Sequence, residues 1–81
     1  ALGNLYAAQR RWPEAQLAYF NAHTADPANP DYLFNLAASL DHMHMPKLAL
    51  EYYQAALSAG AKNRTGFEAA QVKARILELQ R

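Results

Sequence analysis

Apolar residues recur along this chain at helical spacing. Leu33, Leu36, Ala37 and Leu40 fall on one face of a helix. Leu48, Ala49, Tyr52, Tyr53, Ala56 and Leu57 do the same for the next one. Asn29 before Pro30 reads as an N-cap followed by a proline at the first helical position, where a missing N–H costs nothing. Thr65-Gly66-Phe67-Glu68 reads as a capping box opening a last helix, with Phe67, Ala70, Ala74 and Leu77 on its buried side. The pattern predicts five helices, near 1–9, 13–25, 31–43, 47–59 and 66–81.

The pattern also repeats. At an offset of 34 residues Leu2 meets Leu36, Gly3 meets Ala37, Ala15 meets Ala49, Tyr19 meets Tyr53 and Ala22 meets Ala56. Leu33, Leu36 and Leu40 fall on Phe67, Ala70 and Ala74. So many packing residues in phase mark a repeated supersecondary unit, one that buries its apolar face only by stacking on a neighbour.

Composition narrows the chemistry. The 81 residues are 52% apolar with alanine the commonest, which favours helix because alanine loses no side-chain entropy there. With no cysteine, disulfides and thiolate metal sites are excluded. Eight basic and seven acidic residues leave a formal charge of +1, and no Lys/Arg cluster follows a predicted helix face. The short basic groups Arg10-Arg11 and Lys62/Arg64 fall in predicted turns, so a nucleic-acid footprint is not expected. No apolar run is long enough for membrane insertion. The chain opens inside an apolar-periodic stretch, "ALGNLYAAQ", and reads as a fragment of a longer protein.

Catalysis is not expected either. There is no glycine-rich phosphate loop and no Ser/His/Asp set in a strand-turn-helix context, and the seven carboxylates are scattered. His23, near the end of the second predicted helix, suits the helix dipole. The stretch "DHMHMP", Asp41 to Pro46, mixes imidazole and thioether ligands that suit copper(I), which makes Asp41–Met45 a remote metal-binding alternative. Yet His42 and His44 lie about 200° apart on a helix, and the preceding repeat fills the same place with Ala7 to Trp12. A turn is the expectation, with no cofactor and no metal.

"LGNLY" followed by Ala15, Tyr19, Ala22 and Asp26-Pro27 resembles the tetratricopeptide repeat, whose period is about 34 residues. The resemblance divides the chain into repeat one (1–29), repeat two (30–63) and a capping helix (64–81). It implies an all-α fold of antiparallel helix-turn-helix repeats stacked into a right-handed superhelix. It also implies that small residues stand at the helix crossings, Gly3 opposite Ala15 and Ala37 opposite Ala49. Four departures stand out: the truncated first helix, a helix-starting proline displaced by one residue at Met45-Pro46, Ala61 in place of a closing proline, and Gln71 in place of a small residue. Gln71 fits a last helix whose polar residues Gln71, Lys73, Glu78, Gln80 and Arg81 face water.

The function implied by the resemblance is a protein–protein interaction module that binds a peptide or helix segment of a partner in a concave groove. The groove positions fall on Asn4, Ala7 and Ala8, then on Asp31, Phe34, Ala38, Asp41 and His42 with Asn35 beside them, then on Thr65, Glu68, Val72 and Arg75. Asn4 and Asn35 can each donate to and accept from a peptide backbone, and Phe34 can anchor a side chain. The subclass that clamps a terminal carboxylate needs cations where this chain has Glu68 and Val72, so it is not expected here. The alternative is a structural spacer or self-association element, on account of Phe20, Tyr32 and Tyr52. A monomer or weak dimer is expected. The alanine-rich style with a "RILELQR" ending points to a bacterial assembly or secretion scaffold, in cytoplasm or periplasm.

Overall fold

The computed structural model describes residues 2–61 and 66–80. Five α-helices occupy them: α1 (Leu2–Ala8), α2 (Trp12–Ala25), α3 (Pro30–His42), α4 (Pro46–Gly60) and α5 (Ala69–Leu79). No strand occurs among the described residues. Thr65, Asn63, Lys62, Arg64 and Arg81 lie outside them, and with them the predicted capping-box hydroxyl, the second basic pair and the connection that follows Ala61.

Local chemistry sets the helix ends. Asn29 caps α3 through its side-chain oxygen, which accepts from the Asp31 N–H at 3.0 Å, and Pro30 follows as expected. Asp31 adds an acidic group at the positive end of the helix dipole. The residues before α2 and α4, Arg11 and Met45, make no side-chain cap, and a proline sits in the first turn of each helix instead. The displaced proline does not displace the helix: α2 and α4 begin at Trp12 and Pro46, still one repeat apart.

The two turns that lead into α2 and α4 share one hydrogen-bonded pattern. Arg11 N–H donates to Tyr6 C=O at 2.9 Å and Arg10 N–H to Ala7 C=O at 3.0 Å. One repeat later Met45 N–H donates to Leu40 C=O at 3.0 Å and His44 N–H to Asp41 C=O at 3.1 Å. Both are Schellman closures, which require a left-handed residue at the corner. Those residues are Arg10 (φ 57°) and His44 (φ 59°), neither of them the glycine that adopts this conformation without a Cβ penalty. In the first turn the Arg11 guanidinium also lies 4.8 Å from the centre of the Tyr6 ring.

Each helix packs on the next in chain order, most extensively α3 on α4. The core joins Ala15 and Tyr19 of α2, Leu36, Ala37 and Leu40 of α3, Ala49 and Tyr53 of α4, and Val72 and Ile76 of α5. Ala15, Ala37 and Ala49 are wholly buried, as crossings of closely spaced helices require. A Cβ at Gly3 would lie 2.6 Å from the Tyr19 ring, so the glycine makes room for that ring.

The last helix departs most from expectation. It starts at Ala69, with Glu68 as the extended residue before it, so Gly66 and Phe67 precede the helix. Its buried face is Val72 and Ile76, not Ala70, Ala74 and Leu77; the two alanines are exposed and Leu77 is 63% exposed. The expected face was carried over from Leu33, Leu36 and Leu40 of α3, a helix with neighbours before and after it. Among the described residues α5 packs chiefly on α4. A single contact face then favours the branched Val72 and Ile76, which remove more apolar area from water than alanine methyls do. Gln71, Lys73, Glu78 and Gln80 are exposed as expected.

Candidate functional site

The C-terminal turn of α3, the middle of α4 and the second half of α5 converge on Asp41. Its carboxylate receives two bonds from the Arg75 guanidinium, Nε to Oδ2 at 2.7 Å and Nη2 to Oδ1 at 2.5 Å. The Tyr53 hydroxyl donates to the same Oδ2 at 3.1 Å. Arg75 Nη1 reaches Glu78 at 3.0 Å. A bidentate, charge-assisted pair of this kind fixes orientation as well as distance. The bonds from Arg75, helped by the one from Tyr53, hold the Asp41 carboxyl below the usual carboxylate range, against the opposing effect of burial. The Tyr53 phenol is pushed up, first by burial and then by the Asp41 charge. Arg75 is raised, mainly by its bonds to Asp41.

Above this cluster lies a cleft of about 680 Å³, bordered by Asp41, His42, His44, Pro46, Arg75 and Leu79. His42 lies flat on Trp12, ring centres 4.0 Å apart and planes within 2°, which ties the start of α2 to the end of α3. Beside the cleft is a smaller cavity of about 180 Å³, walled by Phe34, Tyr53 and Phe67 and by Glu68, Gln71 and Val72 of the α5 segment. Phe34 stacks on Phe67 at 4.9 Å and meets Tyr53 at 6.0 Å with a tilt of 53°. Arg75 borders both spaces.

The positions named from sequence therefore fall into groups. Asp41, His42 and Arg75 come together at the cleft. Phe34, Glu68 and Val72 meet Arg75 at the smaller cavity, with Val72 only 2% exposed and turned into the core. Asp31 is occupied in holding the segment before α5: its Oδ1 accepts from the Gly66 N–H at 2.7 Å. Asn4 is partly used as well, its side-chain oxygen accepting from the Tyr19 hydroxyl at 2.5 Å, which leaves its NH₂ to donate. Ala8 is exposed at the end of α1, Asn35 and Ala38 are half-buried on α3, and none of these three borders the cleft or the cavity. Thr65 lies outside the described residues.

Compared with known proteins, the chain matches no family model and no curated protein sequence.

Sequence reasoning missed Tyr53, Phe67, Gln71, His44, Pro46 and Leu79 as parts of these spaces. One signal was legible. Asp41 and Arg75 occupy the same position of successive repeats, and opposite charges one repeat apart can pair when first helices are neighbours. His42 and His44 reach one cleft because the chain leaves the helix at Met43 and turns left-handed at His44. Even so, no three His, Asp or Glu side chains among the described residues gather in a way that could hold a metal ion. No helix among them is long and apolar enough to cross a membrane.

Proposed function

We propose that this chain is a protein-interaction module of the tetratricopeptide type, taking a peptide or helix of a partner on the side where α3 and α5 meet. The observation that carries this reading is the repetition of the turn: the same two closing hydrogen bonds and the same left-handed corner recur one repeat apart. A repeated helix pair is the unit from which such modules are stacked. The cleft supports the placement, because three residues that the resemblance assigns to the groove border it together. The module is non-catalytic in this reading: the strongest polar cluster, Asp41 with Arg75 and Tyr53, is internally satisfied and braces helices.

Selection of displayed random peptides on the folded chain tests the proposal. Retained peptides should lose about tenfold in affinity on His44→Asn or Leu79→Ala, which alter the cleft. Glu51→Ala, on the exposed side of α4, should change nothing. No retained peptide, or peptides sensitive to Glu51→Ala and indifferent to the cleft, would overturn it.

One observation favours a second reading, self-association. Leu5, Leu17 and Phe20 of α1 and α2 are 54%, 59% and 43% exposed, more apolar surface than the rest of that hairpin needs to show. A sedimentation mass above the monomer that returns to it on Leu17→Lys would move the assignment to that reading.

A further inference from the structure

We infer that the outer face of α2 docks against the same face of a second copy of this chain, with the two helices antiparallel. This rests on the self-association reading above and gives it a surface and a geometry. Pro13, Leu17, Phe20 and Thr24 follow one another along α2 at helical spacing, and all four are exposed. One repeat later Lys47, Glu51, Gln54 and Ser58 hold the same places on α4, and they are exposed as well. Both hairpins thus turn this face to water, and α4 covers it with polar groups as a solvated face requires. On α2 the same face carries two large apolar side chains that folding of the hairpin does not call for. None of its residues borders the cleft or the smaller cavity.

The stripe is complementary to itself. Leu17 and Phe20 lie equally far from the middle of α2, and so do Pro13 and Thr24. A two-fold axis through that middle lays Leu17 of one copy on Phe20 of the other, and Pro13 beside Thr24. The charges at the helix ends agree with this. Arg10 precedes α2 and Asp26 follows it, both exposed and neither in an ion pair among the described residues. Antiparallel packing brings Arg10 of one copy to Asp26 of the other and opposes the helix dipoles. Parallel packing would set like charges together. With 14 residues, α2 is about 21 Å long. One face of it buries less than the roughly 800 Å² per partner of a stable complex, so the dimer is weak.

Sedimentation of the folded chain up to millimolar concentration tests this, and a monomer–dimer equilibrium is the expected result. Leu17→Glu and Phe20→Gln give α2 the residues that α4 carries. Each should weaken the dimer about tenfold, being lost from both copies, while the helical circular-dichroism signal stays. Cross-linking reads the orientation, since the chain has no cysteine of its own. Under mild oxidation Pro13→Cys chains should join Thr24→Cys chains, and neither should join its own kind. Like positions lie about 16 Å apart along antiparallel helices, beyond the roughly 7 Å that a disulfide spans. A monomer at every concentration overturns the inference together with the self-association reading, and leaves the stripe to a different partner. A dimer that survives both substitutions, or one in which Pro13→Cys chains join each other, overturns the inference alone.

Discussion

In the hairpin α1–α2 the Tyr19 ring lies against Gly3 and its hydroxyl bonds to Asn4, one residue further along α1. In the hairpin α3–α4 the matching Tyr53 sends its hydroxyl to Asp41, near the end of α3. The two tyrosines are one repeat apart, and so are the turns, corner residues and helix starts around them. Three residues differ: Ala37, Ala38 and Asp41 of α3 stand where α1 has Gly3, Asn4 and Ala7. A Cβ at Gly3 would collide with the Tyr19 ring, Ala37 carries that Cβ, and Ala38 offers Tyr53 no side-chain acceptor in place of Asn4. The Tyr53 hydroxyl goes to Asp41 instead, the carboxylate that Arg75 grips from α5. The small residue and the place of the acceptor together separate a hairpin whose tyrosine closes on itself from one whose tyrosine helps to anchor the next helix. The burial differs in the same sense: α3 alone buries six residues, while α2 buries two and leaves Leu17 and Phe20 exposed.

The comparison can be broken most forcefully at the helix crossings. Ala15→Leu and Ala49→Leu each insert three carbons into a wholly buried site and should each destabilise by about 1–3 kcal/mol. The more densely packed second hairpin should lose more. Thermal unfolding by circular dichroism measures both, and an unchanged melting temperature for either denies that the crossings are equivalent.

Gly3→Ala tests the seat of the tyrosine directly. The new methyl must displace the Tyr19 ring and its bond to Asn4, costing about 1–3 kcal/mol, offset by about 1 kcal/mol from better helix propensity. A net loss of about 1–2 kcal/mol is expected in urea unfolding. A net gain would mean that the ring relocates without penalty and that the acceptors, not the glycine, separate the hairpins.

The anchor on α5 should carry a pH signature. The Asp41 carboxyl titrates lower in the folded chain than in the unfolded one. Its contribution is therefore full above the unfolded value, about 3.9, and is lost as pH falls below that through the depressed folded value. With Arg75 partly solvated, the effect should be about 1 kcal/mol. The measurement is the stability difference between the parent and Asp41→Asn, followed from pH 7 downward. It should shrink below about pH 4, and a difference constant across that range would remove the pair from the energetics of docking.

The smallest effects belong to the turns. Replacing a left-handed Arg10 or His44 by glycine relieves a Cβ penalty of about 1–2 kcal/mol and adds unfolded-state entropy worth about 0.5–1 kcal/mol. Each variant should therefore gain about 0.5–1 kcal/mol, and equally. Unequal gains would show that the shared backbone geometry conceals different strain.

Much of the fold was legible in the spacing of apolar residues. Four of the five helices begin and end within one residue of expectation, because proline, Asn29 and the apolar periodicity act through neighbours in the chain. The candidate site was less so. Asp41, His42 and Arg75 were named from a position in a repeat, but the bond between Asp41 and Arg75, the stacking of His42 on Trp12 and the walls around Phe34 join residues far apart in sequence. The left-handed corners were hidden for another reason: arginine and histidine do not advertise that conformation, and surrounding hydrogen bonds impose it.

By itself, then, the order of residues determined that this chain is helical, where its first four helices run, and that a unit of helix, turn and helix recurs. Those are consequences of local propensity and of a period read within a few turns. Tertiary structure alone decided which face of α5 is buried and which charges are paired. They depend on how many neighbours a surface has, and on which side chains the packed helices bring together. Both are set by packing across the fold and not along the chain.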